Sequence, residues 1–121
     1  MDIQLKRGYL EVCVLAAMLK NETYGYELIH RIPEFIELSE STLYPILKRL
    51  ETAKCVTVRS CEHNGRLRKY YSITEIGKIK IEDFLKDWES IDSIHKYIKE
   101  AYQNDKKWIS KQVRWKTEKH W

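Results

Sequence analysis

The residues of this chain best suited to chemistry are hydroxyls and cations gathered in two short stretches. Ser41, Tyr44 and Lys48 share one side of a helical pattern, with Thr42 and Arg49 beside them, and Arg59, Arg66, Arg68 and Lys69 crowd around Asn64-Gly65. Short hydroxyls at the start of a helix can approach base edges or accept backbone donors, and the helix N-terminus itself favours phosphate. Lysine and arginine neutralise phosphates, and a tyrosine hydroxyl can bond a phosphate while its ring packs on sugar. This is the chemistry of nucleic-acid binding. An enzyme would be signalled by a Ser/His/Asp set, a phosphate-cradling glycine loop or paired carboxylates in a cleft. None is apparent, so no enzyme and no cofactor are expected.

Metal and redox chemistry are weaker readings. Cys61-Glu62-His63 offers two ligands, but nothing nearby completes a tetrahedral set, and no metal is expected. Cys13 and Cys55 show no CxxC spacing, and a count of three cysteines argues against a disulfide framework. They read as structural, with redox sensing as the alternative. At 121 residues, 43% hydrophobic and 33% charged, the chain suits a folded domain rather than a disordered one. Its net charge of +4 falls entirely in residues 103–121, where Lys106, Lys107, Lys111, Arg114, Lys116 and Lys119 oppose Asp105 and Glu118. Total charge therefore says little about nucleic acid, and local clustering says more. No apolar run is long enough to span a membrane, and Met1-Asp2-Ile3-Gln4 lacks the basic-then-apolar start of a secretory signal. A cytoplasmic protein with no membrane partner is expected.

The elements that must position these groups follow from periodicity. Tyr9, Val12, Cys13, Ala16 and Leu19 lie at helical spacing, with Leu10, Val14, Ala17 and Met18 on a second face, so a first helix should be buried on two sides. Thr23 is expected to cap a second helix from Tyr24 to about Arg31, ended by Pro33. A third runs from Ser41 to Thr52, with Leu43, Ile46, Leu47 and Leu50 as its buried face. Pro45 breaks the helical rule, a cost reduced if it lies in the first turn. Cys55–Glu62 alternates like a strand, with Val56 and Val58 inward, and Asn64-Gly65 is a two-residue hairpin turn. Leu67–Ile73 returns as the second strand, and Thr74 caps a long helix reaching Tyr102. Three short helices, a hairpin and a further helix make a mainly α (α+β) winged helix-turn-helix. The expected organisation is a DNA-binding domain over residues 1–73, a dimerisation helix over 74–102 and a basic, tryptophan-containing tail over 103–121.

Taken alone, the third helix fits an ordinary solvated surface as well as a DNA-reading one. The basic hairpin beside it favours DNA, because a narrow cationic wing can track phosphates or enter a minor groove.

Tyr24-Gly25-Tyr26-Glu27-Leu28, the run from Ser41-Thr42-Leu43-Tyr44-Pro45 to Leu50-Glu51, and Arg68-Lys69-Tyr70-Tyr71-Ser72-Ile73-Thr74-Glu75-Ile76-Gly77 together resemble the PadR-type transcriptional regulators. The resemblance covers about residues 5–102. It implies a homodimer on pseudo-palindromic double-stranded operator DNA, with the third helix in the major groove and the hairpin as wing. By position it implies DNA contacts from Tyr26, Ser41, Thr42, Tyr44, Lys48, Lys69 and Tyr70, to which the wing charge adds Arg66 and Arg68. Cys55 stands where this family usually has a glycine after the recognition helix, implying a tighter or shifted turn.

In the long helix, Ile81, Phe84, Trp88, Ile91, His95, Ile98 and Tyr102 alternate at spacings of three and four, a heptad seam expected to form the dimer interface. Ile76, Leu85 and Ile94 form a second stripe expected to pack on the winged domain. Dimerisation would place two recognition helices on half-sites about 34 Å apart. Trp88 either packs that interface or, facing its dimer mate, sandwiches a planar aromatic effector. The second reading follows a resemblance to drug-sensing PadR-like regulators whose short C-terminal region is a single helix with tryptophan at this point. His95 reads as a polar register residue, with pH sensing as the alternative if it is buried. In the tail, Trp108, Ile109, Gln112 and Trp115 lie at helical spacing, although a partly ordered, solvated end is the simpler expectation. The combined expectation is a repressor relieved when an effector shifts the distance between recognition helices. An effector-independent architectural or protein-interaction module is the alternative.

Overall fold

A computed structural model describes the backbone of residues 3–119 and the side chains of residues 7–107. In chain order it contains α1 (Ile3–Ala16), α2 (Gly25–Arg31), α3 (Glu40–Thr52), β1 (Val56–His63), β2 (Arg66–Ile73) and α4 (Glu75–Lys119). The chain packs as two units, Met1–Phe84 and Leu85–Trp121.

The first unit gathers one core. Leu15, Met18, Leu28, Leu43, Ile46, Leu47 and Leu50 are all at most 1% exposed, and Val56 and Tyr71 join them from the hairpin. Burying a side chain of this size stabilises by roughly 1.5–3 kcal/mol, so the four apolar residues of α3 alone anchor that helix firmly. In α1 the face carrying Leu10 and Val14 is buried, and on the other face Val12 is buried while Tyr9 and Cys13 are half-buried; beyond the helix Met18 is buried and Leu19 is exposed. The helix ends at Ala16, before Leu19, and tight turns follow in which Met18 N–H bonds the Leu15 carbonyl and Leu19 N–H bonds that of Ala16.

Thr23 does not cap α2. Tyr24 occupies the N-cap position without a side-chain bond, and Thr23 is fully buried in a one-residue bridge to Tyr71. Its N–H donates to the Tyr71 carbonyl at 3.0 Å, and Tyr71 N–H returns a bond at 2.7 Å. Two buried backbone pairs outweigh a single cap bond in satisfying polar groups. Pro45 also differs from expectation: α3 begins at Glu40, so the proline sits in the second turn and has no N–H to give the Ser41 carbonyl.

β1 and β2 pair antiparallel from Val56↔Ile73 to His63↔Arg66. The turn takes positive φ at both Asn64 (51°) and Gly65 (78°), as a two-residue hairpin of this hand requires. The left-handed residue after α3 is Lys54 (φ 61°), not Cys55, which is buried against the core.

Thr74 does cap α4. Its Oγ1 accepts from Gly77 N–H at 3.2 Å and donates to the Lys54 carbonyl at 2.7 Å. Gly77 allows that closeness, since a Cβ there would lie 2.4 Å from the Cys55 carbonyl oxygen. α4 continues beyond Tyr102 to Lys119, because nothing after Gly77 is a proline or glycine and residues 103–119 carry five lysines, two glutamines and an arginine, all good helix formers. The tail side chains Trp108, Ile109, Gln112, Trp115 and Trp121 lie outside the described side chains. Among the described residues no helix is long and apolar enough to cross a membrane.

Candidate nucleic-acid interface

With Leu43, Ile46, Leu47 and Leu50 turned inward, geometry leaves Ser41, Thr42, Tyr44, Pro45 and Lys48 on the open face of α3. At its start, Ser39 Oγ lies 2.9 Å from Ser41 Oγ and 3.1 Å from Thr42 Oγ1. These exposed hydroxyls form a cluster that can donate or accept. Tyr44, half exposed, reaches back to α2, where a Cβ at Gly25 would come within 2.8 Å of its hydroxyl oxygen. Gly25 is buried and lets the two helices of the helix-turn-helix approach closely.

The wing completes a groove of about 890 Å³ lined by Tyr24, Tyr26, Tyr44, Arg66, Arg68 and Lys69 among others. Five of the expected DNA-facing residues, Tyr26, Tyr44, Arg66, Arg68 and Lys69, thus converge on one concave surface. Ser41, Thr42 and Lys48 lie on the exposed face of α3 without lining it. Tyr70 is half-buried, its ring packed edge-on against Tyr24 and beneath Arg59.

The cations sort into two kinds. Arg49 donates from Nε to Glu11 at 2.9 Å, and Lys80 reaches the other oxygen of Glu11 at 2.8 Å. Burial pushes the Glu11 carboxyl up, but hydrogen bonds from Lys80 and Arg49 outweigh it and hold the group below the usual carboxylate range. Arg59 is likewise engaged, donating to both oxygens of Glu22, the Nε bond being 2.8 Å. That bond holds Glu22 low and raises Arg59. Arg49 and Arg59, grouped with the DNA-directed cations by sequence, therefore carry neutralised charge. Glu22, Tyr24 and Glu11 were missed by sequence reasoning, for their partners lie far along the chain.

Among the described residues no group of three or more His, Cys, Asp and Glu could hold a metal ion. Cys13, Cys55 and Cys61 are free thiols, and burial pushes Cys13 up.

In α4, Ile81 packs against the core of the first unit and Phe84 is half-buried. Further on, Trp88, Ile91, Ile98 and Tyr102 are 48–62% exposed, and His95 is exposed. The second stripe does not behave as expected: Ile76, Leu85 and Ile94 are also more than half exposed. Ile81, rather than Ile76, is the residue of this helix that packs against the core cluster, which also takes in Tyr71 and Ile73.

Comparison with known proteins places this geometry among relatives. Residues 14–83 match the profile of the transcriptional regulator PadR-like family. A Lysinibacillus sphaericus protein, itself described only as uncharacterized, is 31% identical over 93 residues, which span 73% of this chain and 85% of that one. A PadR-like transcription factor from Bacteroides fragilis superposes with a TM-score of 0.70 at 28% identity, covering 78% of this chain and 94% of that one. Bacillus subtilis PadR in complex with operator DNA superposes with a TM-score of 0.58 at 27% identity, covering 63% of this chain and 46% of that one.

Proposed function

The chain belongs to the PadR-like family of transcriptional regulators, and we propose on that footing that it acts as a dimeric, DNA-binding repressor working in the cytoplasm. The observation that carries this reading is the groove between α2, α3 and the wing, where four tyrosines and three cations line one concave surface, with a hydroxyl cluster exposed at the start of α3. Tyr26, Tyr44, Arg66, Arg68 and Lys69 hold the phosphates and sugars flanking the site, while Ser41, Thr42 and Lys48 enter the major groove. The operator complex of Bacillus subtilis PadR supports the assignment by likeness of fold.

Dimerisation runs through α4, with Trp88, Ile91, His95, Ile98 and Tyr102 forming the seam and Ile81 and Phe84 anchoring it to each winged unit. The exposed apolar side chains at 48–62% support this, since water contact with such a row is unfavourable. A planar aromatic effector held between the two Trp88 rings then shifts the dimer towards a state with lower operator affinity.

The test is a gel-shift series on duplex DNA from immediately upstream of the chain's own gene, repeated over rising salt. Binding that falls steeply with salt is expected. Absent or salt-independent binding would replace this reading with an architectural or protein-interaction role. For the effector, planar aromatic cations are titrated while tryptophan emission and DNA binding are followed together. Quenching should disappear in Trp88→Ala, and ligand binding without a change in DNA affinity would defeat the effector mechanism.

A further inference from the structure

A two-stranded hairpin is barely stable alone, so the wing needs support from the body of the domain. Its base has that support: Val56 and Tyr71 are in the core, and Tyr71 exchanges two backbone bonds with Thr23. Outward of Val58↔Tyr71, the hairpin residues from Arg59 to Tyr70 are exposed or half-buried. The register puts Arg59, Cys61 and His63 on the same face as Tyr70, Arg68 and Arg66. On that face a continuous stack begins at Glu22, just before α2. The Glu22 carboxylate accepts Arg59 Nε at 2.8 Å, and the Arg59 guanidinium lies 4.6 Å from the Tyr70 ring centroid. Tyr70 meets Tyr24 edge-on at 5.6 Å with 73° between planes, and Arg68 lies 4.0 Å over Tyr24.

We propose that Glu22, Tyr24, Arg59 and Tyr70 are positioning residues which, with the DNA-facing Arg68 stacked on Tyr24, form a cation–aromatic latch that fixes the angle of the wing against α2 and thereby sets DNA affinity. This inference rests on the DNA-binding reading above. Guanidinium groups stack well on aromatic faces because they are weakly hydrated and planar. Glu22 cancels the charge of Arg59, so that arginine adds rigidity rather than phosphate attraction. Tyr24 is followed by Gly25, whose missing Cβ admits the Tyr44 hydroxyl of α3. The latch therefore ties the wing to the same helix end that abuts the recognition helix. A wing docked in advance loses less freedom when both elements engage DNA together.

The experiment uses the full chain and the same upstream duplex over a salt series. Tyr24→Leu should weaken binding about tenfold at fixed salt while leaving the slope of log affinity against log salt near the parent's, because no phosphate contact is lost. Tyr24→Phe, which keeps the ring, should recover most of that loss. Arg59→Gln should behave like Tyr24→Leu, whereas Lys69→Gln should lower the slope by about one. Parent-like affinity in Tyr24→Leu, or a unit of slope lost in Arg59→Gln, would overturn the latch. Should thermal melting show Tyr24→Leu unfolded, the surface variant Arg59→Gln decides by the same criterion. Failure of the parent itself to bind in a salt-dependent way would instead remove the DNA reading beneath it.

Discussion

α3 and the later part of α4 carry apolar residues at the same three-and-four spacing, yet one row is hidden and the other is not. Leu43, Ile46, Leu47 and Leu50 are at most 1% exposed, whereas Trp88, Ile91, Ile98 and Tyr102 are 48–62% exposed. The period of a pattern thus tells which residues share a face, and nothing about whether the chain itself supplies what covers it. In the first unit α1, α2 and β1 surround α3, and the core closes within one chain. In the second, the row from Trp88 to Tyr102 stays about half exposed, and the proposed function covers it with a second copy.

The largest effect that separates the two rows is the cost of truncating them. Leu43→Ala should lower the unfolding free energy by about 2–5 kcal/mol, as large-to-small changes in a closed core do, seen as a shifted urea midpoint at any protein concentration. A loss well under that range would mean the core around α3 is loosely packed. Gly77→Ala comes next. Its new Cβ would fall 2.4 Å from the Cys55 carbonyl oxygen and 2.7 Å from Ile73 Cγ1, so the start of α4 must shift, at about 1–3 kcal/mol in the same titration. Ile98→Ala should instead act through concentration: sedimentation should show the dimer dissociation constant rising about tenfold, with the helical signal of concentrated protein nearly unchanged. An unfolding shift like that of Leu43→Ala, without a change in association, would erase the distinction between the rows.

Much of the first unit was legible because its signals are local. The buried stripe of α3, the Asn64-Gly65 turn and the Thr74 cap each rest on residues within one or two turns of each other. What escaped was non-local. Thr23 looked like a cap because its pairing partner, Tyr71, is remote and a one-residue bridge has no period. Arg49 and Arg59 looked available because their carboxylates lie 38 and 37 residues away. The end of α4 escaped for the opposite reason: with no breaker residue after Gly77, only the fading of the heptad suggested a stop at Tyr102. The turn after α3, expected to be tighter or shifted where Cys55 replaces a glycine, takes its positive φ one residue earlier, at Lys54, with Cys55 buried. Lys54→Gly should therefore raise stability by about 0.5–1 kcal/mol, a small upward shift in melting temperature.

The smallest expected effect concerns how polar contact reaches α4 within the first unit. Glu11 on α1 joins Arg49 of α3 to Lys80 of α4, one residue before Ile81 enters the core. Its carboxyl is held below the usual range in the folded protein, so the folded state binds fewer protons there than the unfolded chain does. The stability this contributes is fully present above the ordinary carboxylate range and is lost as pH falls through the depressed value. Urea midpoints measured from about pH 6 down to about pH 3 should fall for the parent, and Glu11→Gln should flatten that fall. Because Arg49 and Lys80 are 42% and 38% exposed, solvent screens the pairs and the difference should stay under about 1 kcal/mol. An identical acid slope in both proteins would mean that Glu11 adds nothing to the closure of the first unit, and that the Thr74 and Gly77 contacts and the apolar contact of Ile81 hold the start of α4 without it.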